Sequence, residues 1–153
     1  MSYSVNPSIE GAEMELSRIL SREIFIYFLD LEVKRARRYQ NFFSILILRL
    51  SQLASHDNGT GLQTCYEKLS HLLEEELRES DILGTLAENR LVALLPYADV
   101  SAGGNAKSHF EGSLKYYDFK SEGYEVMVEQ VCFPMDGTNT LDLVKRVMAP
   151  EAR

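Results

Sequence analysis

The sequence predicts an α+β domain: a central, mostly antiparallel sheet of about five strands with helices on both faces. Three observations predict it. The run Phe42 to Leu50 (FFSILILRL) is short and nearly all apolar, the signature of a strand buried on both faces and therefore central in its sheet. Two further strand-like runs, about 81–86 and 90–95, are broken by a polar triplet around Glu88 and Asn89, which is the pattern of a hairpin. Around these, apolar residues recur every three or four positions, as on amphipathic helices.

The elements follow in order. Residues 1–12 are polar, carry Pro7 and Gly11, and read as a disordered lead-in or linker, leaving 13–153 as one domain. From about Glu13 to Tyr39 no Gly or Pro interrupts, and Leu16, Leu20, Ile24, Tyr27, Phe28 and Leu31 form one apolar stripe, expected to face the core. That helix closes on Lys34, Arg35, Arg37 and Arg38, cations that complement the negative end of its dipole. After the strand, residues 51–61 hold Asn58, Gly59 and Gly61 and read as a loop. Leu62, Cys65, Tyr66, Leu69, Leu72, Leu73 and Leu77 then mark a second helix. Beyond the hairpin, Asp99 is placed to cap a helix over about 100–114, in which Gly103 and Gly104 each cost about 1 kcal/mol relative to Ala. Residues 115–119 read as a short edge strand and Tyr124 to Phe133 as a longer one, stopped by Pro134 and the turn Asp136-Gly137. Thr140 to Met148 is a last amphipathic helix.

Composition narrows the function. The chain has 153 residues, of which 45% are hydrophobic and 25% charged, the profile of an ordinary soluble domain. Its net charge of −7 argues against wrapping duplex nucleic acid, which needs a concentrated positive field. No apolar run is long enough to span a bilayer, and the start lacks the pattern of a signal peptide. Cys65 and Cys132 lie far apart and read as buried free thiols, so the expected compartment is the cytoplasm. His56, His71 and His109 have no Cys or His at ligand spacing, and neither Gly cluster carries the lysine of a phosphate-binding loop. Neither a metal nor a cofactor is expected.

Element order and particular residues together carry a resemblance. Leu16, Arg22 and Phe25 fall on a pattern like D-x-L-T-G-L-x-N-R-x-x-F; Arg35 to Tyr39 and Phe43 to Leu50 follow it; Asp81 to Gly84 and Leu91 to Pro96 bracket a hairpin; and Val131 to Gly137 ends in P-x-D-G. In these features the chain resembles the GGDEF family, the diguanylate cyclase domains that condense two GTP molecules to cyclic di-GMP. The resemblance runs from about Leu16 to Met148 and implies the nucleotidyl-cyclase-like form of the α+β fold.

It does not extend to the family's chemistry. Ala87, Glu88, Asn89, Arg90 and Leu91 occupy the signature, and Arg49 and Ser51 stand where the first strand of an active member ends in D-x-D. Leu53-Ala54 replaces F-K, and Leu62 and Gln63 stand at the last pair of the guanine-contacting stretch. Phosphoryl transfer without its cation loses the main stabiliser of the developing charge, so the expectation is a domain that is not an enzyme. One family motif survives: Arg78-Glu79-Ser80-Asp81 precedes the signature by five residues, as the R-x-x-D of the family's inhibitory product site does. There Arg78 offers a fork of donors to a guanine edge or phosphate, Asp81 accepts from guanine N–H groups, and His109, with Lys107 nearby, falls where the family has a second arginine. A site of this kind needs Arg78 and Asp81 at the surface, unlocked from each other. The same four residues equally read as the charged cap of a helix end.

The sequence thus gives a catalytically inactive GGDEF-like signalling domain, with cyclic di-GMP as its candidate ligand at Arg78, Asp81 and His109. It would pass its binding state to a protein partner or an attached signalling domain. The alternative is a protein–protein interaction or homodimerisation module with no nucleotide ligand.

Overall fold

The computed structural model describes residues 19–53, 61–87 and 89–150. The elements are β1 (Ile19–Leu20), α1 (Arg22–Arg38), β2 (Phe43–Gln52), α2 (Gly61–Glu76), β3 (Ile82–Ala87), β4 (Arg90–Pro96), α3 (Val100–Leu114), a 3₁₀ turn (Lys120–Glu122), β5 (Tyr124–Phe133) and α4 (Thr140–Met148). The five strands lie in the order β1-β3-β4-β2-β5. Only β1 and β3 run parallel; every other neighbouring pair is antiparallel. The lead-in 1–12, with Leu16, and Asn58, Gly59 and Glu88 all lie outside the described residues.

β2 sits between β4 and β5, and residues 43–50 are buried without a break, as the apolar run requires. Alternation divides its side chains between two cores. Leu46, Leu48 and Leu50 meet Leu69, Leu73 and Phe110 of α2 and α3. Phe43, Ile45 and Ile47 meet Phe25, Leu29, Leu143 and Val147 of α1 and α4 on the opposite face. Cys65 and Cys132 are buried free thiols, and no helix among the described residues is long and apolar enough to cross a membrane.

Three sequence expectations are corrected. The first helix does not run from 13: Ser21 caps it, accepting the Ile24 N–H at 3.4 Å, and Ile19–Leu20 pairs with Leu83 and Gly84. Ile19 packs into one core and Leu20 into the other, which successive residues of a strand can do and of a helix cannot. Second, the face of α1 that meets the sheet is Phe25, Leu29, Val33 and Ala36; Ile24, Tyr27, Phe28 and Leu31 are 48%, 61%, 37% and 44% exposed. Both rows have helical spacing, so periodicity cannot choose between them, and the strands that fix the entry and exit of the helix do. Third, residues 115–119 form no strand. Asp118 accepts the Ser121 N–H at 3.2 Å, and the chain turns there, burying Phe119 and ending in Gly123 at φ 87°.

α3 begins as expected, with Asp99 accepting the Ala102 N–H at 2.8 Å. Its Gly103 is required by packing: a Cβ there would strike the Ser44 hydroxyl and the Gln130 amide, so the helix backbone lies directly on β2 and β5. Asn139 caps α4, and Thr140 Oγ1 donates to Asp30 Oδ1 at 2.7 Å, tying α4 to α1. That bond is the main reason the Asp30 carboxyl sits below its usual range.

Candidate functional site

The end of β2 and the β3–β4 turn bring the signature positions together. Asn89 clamps the turn to β2: its carbonyl accepts the Leu50 N–H at 2.8 Å, and its side-chain amide donates to the Leu50 carbonyl at 3.2 Å. Arg49 and Arg90 are direct cross-strand partners. The Arg49 side chain is only 4% exposed; Nη2 donates to Glu129 Oε1 at 2.9 Å and to the Ala149 carbonyl at 3.1 Å. Arg90 Nη1 donates to the Val147 carbonyl at 2.8 Å. The two guanidiniums therefore serve the C-terminal end of α4, whose last carbonyls have no partner within the helix. Arg49 Nε and Nη1 and Arg90 Nε are buried without a partner. Burial, and next the charge of Arg49, hold the Arg90 guanidinium below its ordinary value. Arg22 lies alongside, donating to the Leu86 carbonyl at 3.0 Å.

Arg78 and Asp81 stand at the junction of α2 and β3. Asp81 is not at the surface: its side chain is 4% exposed, and Oδ2 accepts the Arg78 backbone N–H at 2.9 Å. The Asp81 N–H in turn donates to the Arg78 carbonyl at 3.1 Å, closing a reciprocal turn that terminates the helix. The Arg78 guanidinium is 65% exposed and reaches Asp81 Oδ1 only at 3.4 Å. Of the two side chains expected at the surface, Arg78 is exposed and Asp81 is buried, because the aspartate satisfies backbone that the helix end leaves open. A cleft of about 230 Å³ opens beside them, floored by Leu95, Ala98 and Phe110, with Ala102 and Ala106 on the α3 side. His109 is joined to Glu76, which lines that cleft, by an Nε2–Oε2 contact of 2.5 Å. Lys107 lies elsewhere, 3.9 Å from Glu111.

No family model matches the chain, and no curated protein matches it in sequence. Solved structures do match in shape. A DGC protein from Thermotoga maritima superposes with a TM-score of 0.73 over 90% of this chain and 98% of its own, at 14% identity. The GGDEF domain of FimX from Pseudomonas aeruginosa gives 0.72 over 84% of each chain at 13% identity. The GGDEF domain of DgcB from Caulobacter crescentus, in complex with c-di-GMP, gives 0.61 over 86% of this chain and 80% of its own at 9% identity.

The fold is GGDEF-like.

On a GGDEF-like frame the metal can be tested against the residues present. The described residues contain no group of three or more His, Cys, Asp or Glu placed to hold an ion. Among the described residues at the end of β2, Glu129 pairs with the buried Arg49, Glu125 stands opposite Ser51, and the Arg49 and Arg90 guanidiniums occupy directly paired positions. A divalent cation beside two such charges is repelled rather than held, so these residues do not fit it. The partners that explain Arg49 and Arg90 were invisible in the sequence. Glu129 and the carbonyls of Val147 and Ala149 lie 57 to 100 residues away from the arginines they meet. Glu76, which engages His109, was legible only as one acid among several on the second helix.

Proposed function

We propose that this chain is a catalytically silent GGDEF-like domain that acts in signalling. The observation that carries the reading is the Arg49–Arg90 pair: two cations turned inward to cap α4 at the positions where a cyclase needs acidic metal ligands. Incubation with GTP and magnesium or manganese should yield no cyclic di-GMP above the protein-free control. Product that copurifies with this chain overturns the reading.

Cyclic di-GMP as a ligand rests on Arg78, whose exposed guanidinium stands at the mouth of the cleft beside Asp81 and Glu76. The DgcB domain, solved with c-di-GMP, supports that ligand class for the fold. Here Arg78 makes the first contact, His109 lies one carboxylate away, and Asp81, already accepting the Arg78 N–H, is the buried acceptor beside them. The cleft is smaller than the roughly 300–1,000 Å³ of typical ligand pockets, so one base or phosphate edge is what it takes. Calorimetric titration with cyclic di-GMP tests this. Arg78→Ala should weaken binding about 10- to 150-fold, the effect of losing one charge-assisted contact. The protein–protein alternative, homodimerisation included, is favoured instead by the exposed row of Ile24, Tyr27, Phe28 and Leu31 on α1. No heat with the nucleotide, together with a concentration-dependent mass, selects it.

A further inference from the structure

Among the described residues, three buried side-chain nitrogens lack a hydrogen-bond partner, and all three belong to the Arg49–Arg90 pair. Arg49, whose side chain is 4% exposed, leaves Nε and Nη1 unmet, and Arg90 leaves Nε. Buried polar groups are almost always paired, so a cluster of unmet donors on two facing side chains calls for an acceptor that serves both. The carbonyls at the end of α4 do not supply it. Ala149 takes Arg49 Nη2, and Val147 takes Arg90 Nη1.

The pair is short of negative charge as well as of acceptors. A guanidinium keeps its proton at neutral pH, so the two side chains bring two charges to paired positions of adjacent strands. Glu129 balances Arg49 at 2.9 Å, and no carboxylate among the described residues pairs with Arg90. Glu125 is exposed and stands opposite Ser51, not Arg49. Arg22 adds a third cation alongside, exposed and donating to the Leu86 carbonyl. The half-buried Arg90 therefore carries a charge with no counterion of its own. Burying a charge is costly unless it is paired.

We propose that a small monovalent anion of the chloride class binds between Arg49 and Arg90, taking the three unmet donors and balancing the charge that Glu129 leaves over. Water meets the need less well, because it has two protons of its own to place against groups that only donate. The atoms around the three nitrogens already cover them, which favours a single-atom ion over a phosphate. Glu129, 32% exposed, and the half-buried Arg90 are the solvent side of the pair, and the ion enters past them. Bound there, it ties the β3–β4 turn to the end of α4 and makes that junction sensitive to chloride. The inference goes beyond catalytic silence: a chain that makes no cyclic di-GMP need not hold an anion, so either reading can fail alone.

The test titrates chloride into the full ¹⁵N-labelled chain, in a gluconate buffer of constant ionic strength, and follows the Nε–H signals of Arg49 and Arg90. Both should move along one saturating curve that is complete by about 150 mM chloride, the physiological ionic strength, and bromide should reproduce it. Arg90→Met leaves Arg49 balanced by Glu129, so the Arg49 signal of that variant should no longer respond. Arg22→Met removes an exposed cation outside the pair and should leave the curve intact. Signals that are identical in gluconate and chloride overturn the proposal. So does a response that grows with salt without saturating, or that survives in Arg90→Met, since either reports general screening. Saturation by phosphate but not by chloride overturns it too, and would assign a larger anion.

Discussion

Arg49 and Arg90 face each other across β2 and β4, two like charges at directly paired positions of one sheet. Opposed like charges on paired strands are unfavourable. The structure offsets the repulsion by giving Arg49 the Glu129 carboxylate and giving each arginine a terminal carbonyl of α4. It leaves three of their N–H-bearing nitrogens without partners.

The first prediction follows from that imbalance. Arg49→Met keeps the length and the apolar contacts while removing the buried charge, and Glu129 retains access to water at 32% side-chain exposure. Combined with Glu129→Leu, which removes the other charge, Arg49→Met should be as stable as the parent or more stable by about 1–4 kcal/mol in urea unfolding, as when other buried ion pairs become apolar. A loss beyond about 3 kcal/mol would mean that the α4 cap matters more than the charge.

The two glycines at the start of α3 should part company. At Gly103 an added Cβ meets Ser44 and Gln130, whereas at Gly104 the nearest atom is 3.7 Å away. Gly103→Ala should destabilise by about 1–3 kcal/mol through overpacking. Gly104→Ala should stabilise by about 0.5–1 kcal/mol through helix propensity. Thermal unfolding of the two proteins side by side checks both signs.

Leu94 is fully buried on β4, between β3 and β2. Leu94→Ala should cost roughly 2–5 kcal/mol, because neighbours held in a sheet cannot collapse into the cavity. Denaturant titration measures it, and a cost under about 1 kcal/mol would contradict the burial.

Burial pushes the Cys65 thiol above its ordinary value of 9.0. A raised value means that the folded chain holds this proton more tightly than the unfolded one. The contribution to stability is therefore complete below pH 9.0 and is lost as the pH climbs through the folded value. Unfolding free energy measured across the alkaline range should fall for the parent and fall less for Cys65→Ala. The native thiol should also resist an aromatic disulfide reagent until the chain is unfolded.

Much of the fold was legible because the strongest local signals and the tertiary structure agree. The nine-residue apolar run became the doubly buried strand, and the segments 124–133 and 140–148 have the expected ends. The failures share one cause. On α1 two helical rows of apolar residues compete, and only packing against β3 shows that Phe25 and not Ile24 enters the core. In the candidate site, residue types and spacing pointed to Arg78 and Asp81. Whether a carboxylate meets a ligand or its own backbone depends on the path of the turn, and here the turn takes it. The roles of Arg49 and Arg90 were likewise beyond reach, since their partners are set by the sheet register and by where α4 ends.

The ladder between β2 and β5 also governs the order of assembly during synthesis. It pairs Phe43 with Phe133, near opposite ends of the domain, whereas β4 reaches β2 much earlier in the chain. At translation rates of about 5–20 residues per second, one flank of the most apolar strand waits several seconds for its neighbour. Contacts this distant in sequence also place refolding of the finished chain on the slow side of its size class. A ribosome stalled anywhere between Pro96 and Phe133 leaves β2 with an open edge, so synthesis, more than the finished fold, is where this protein is most exposed to aggregation.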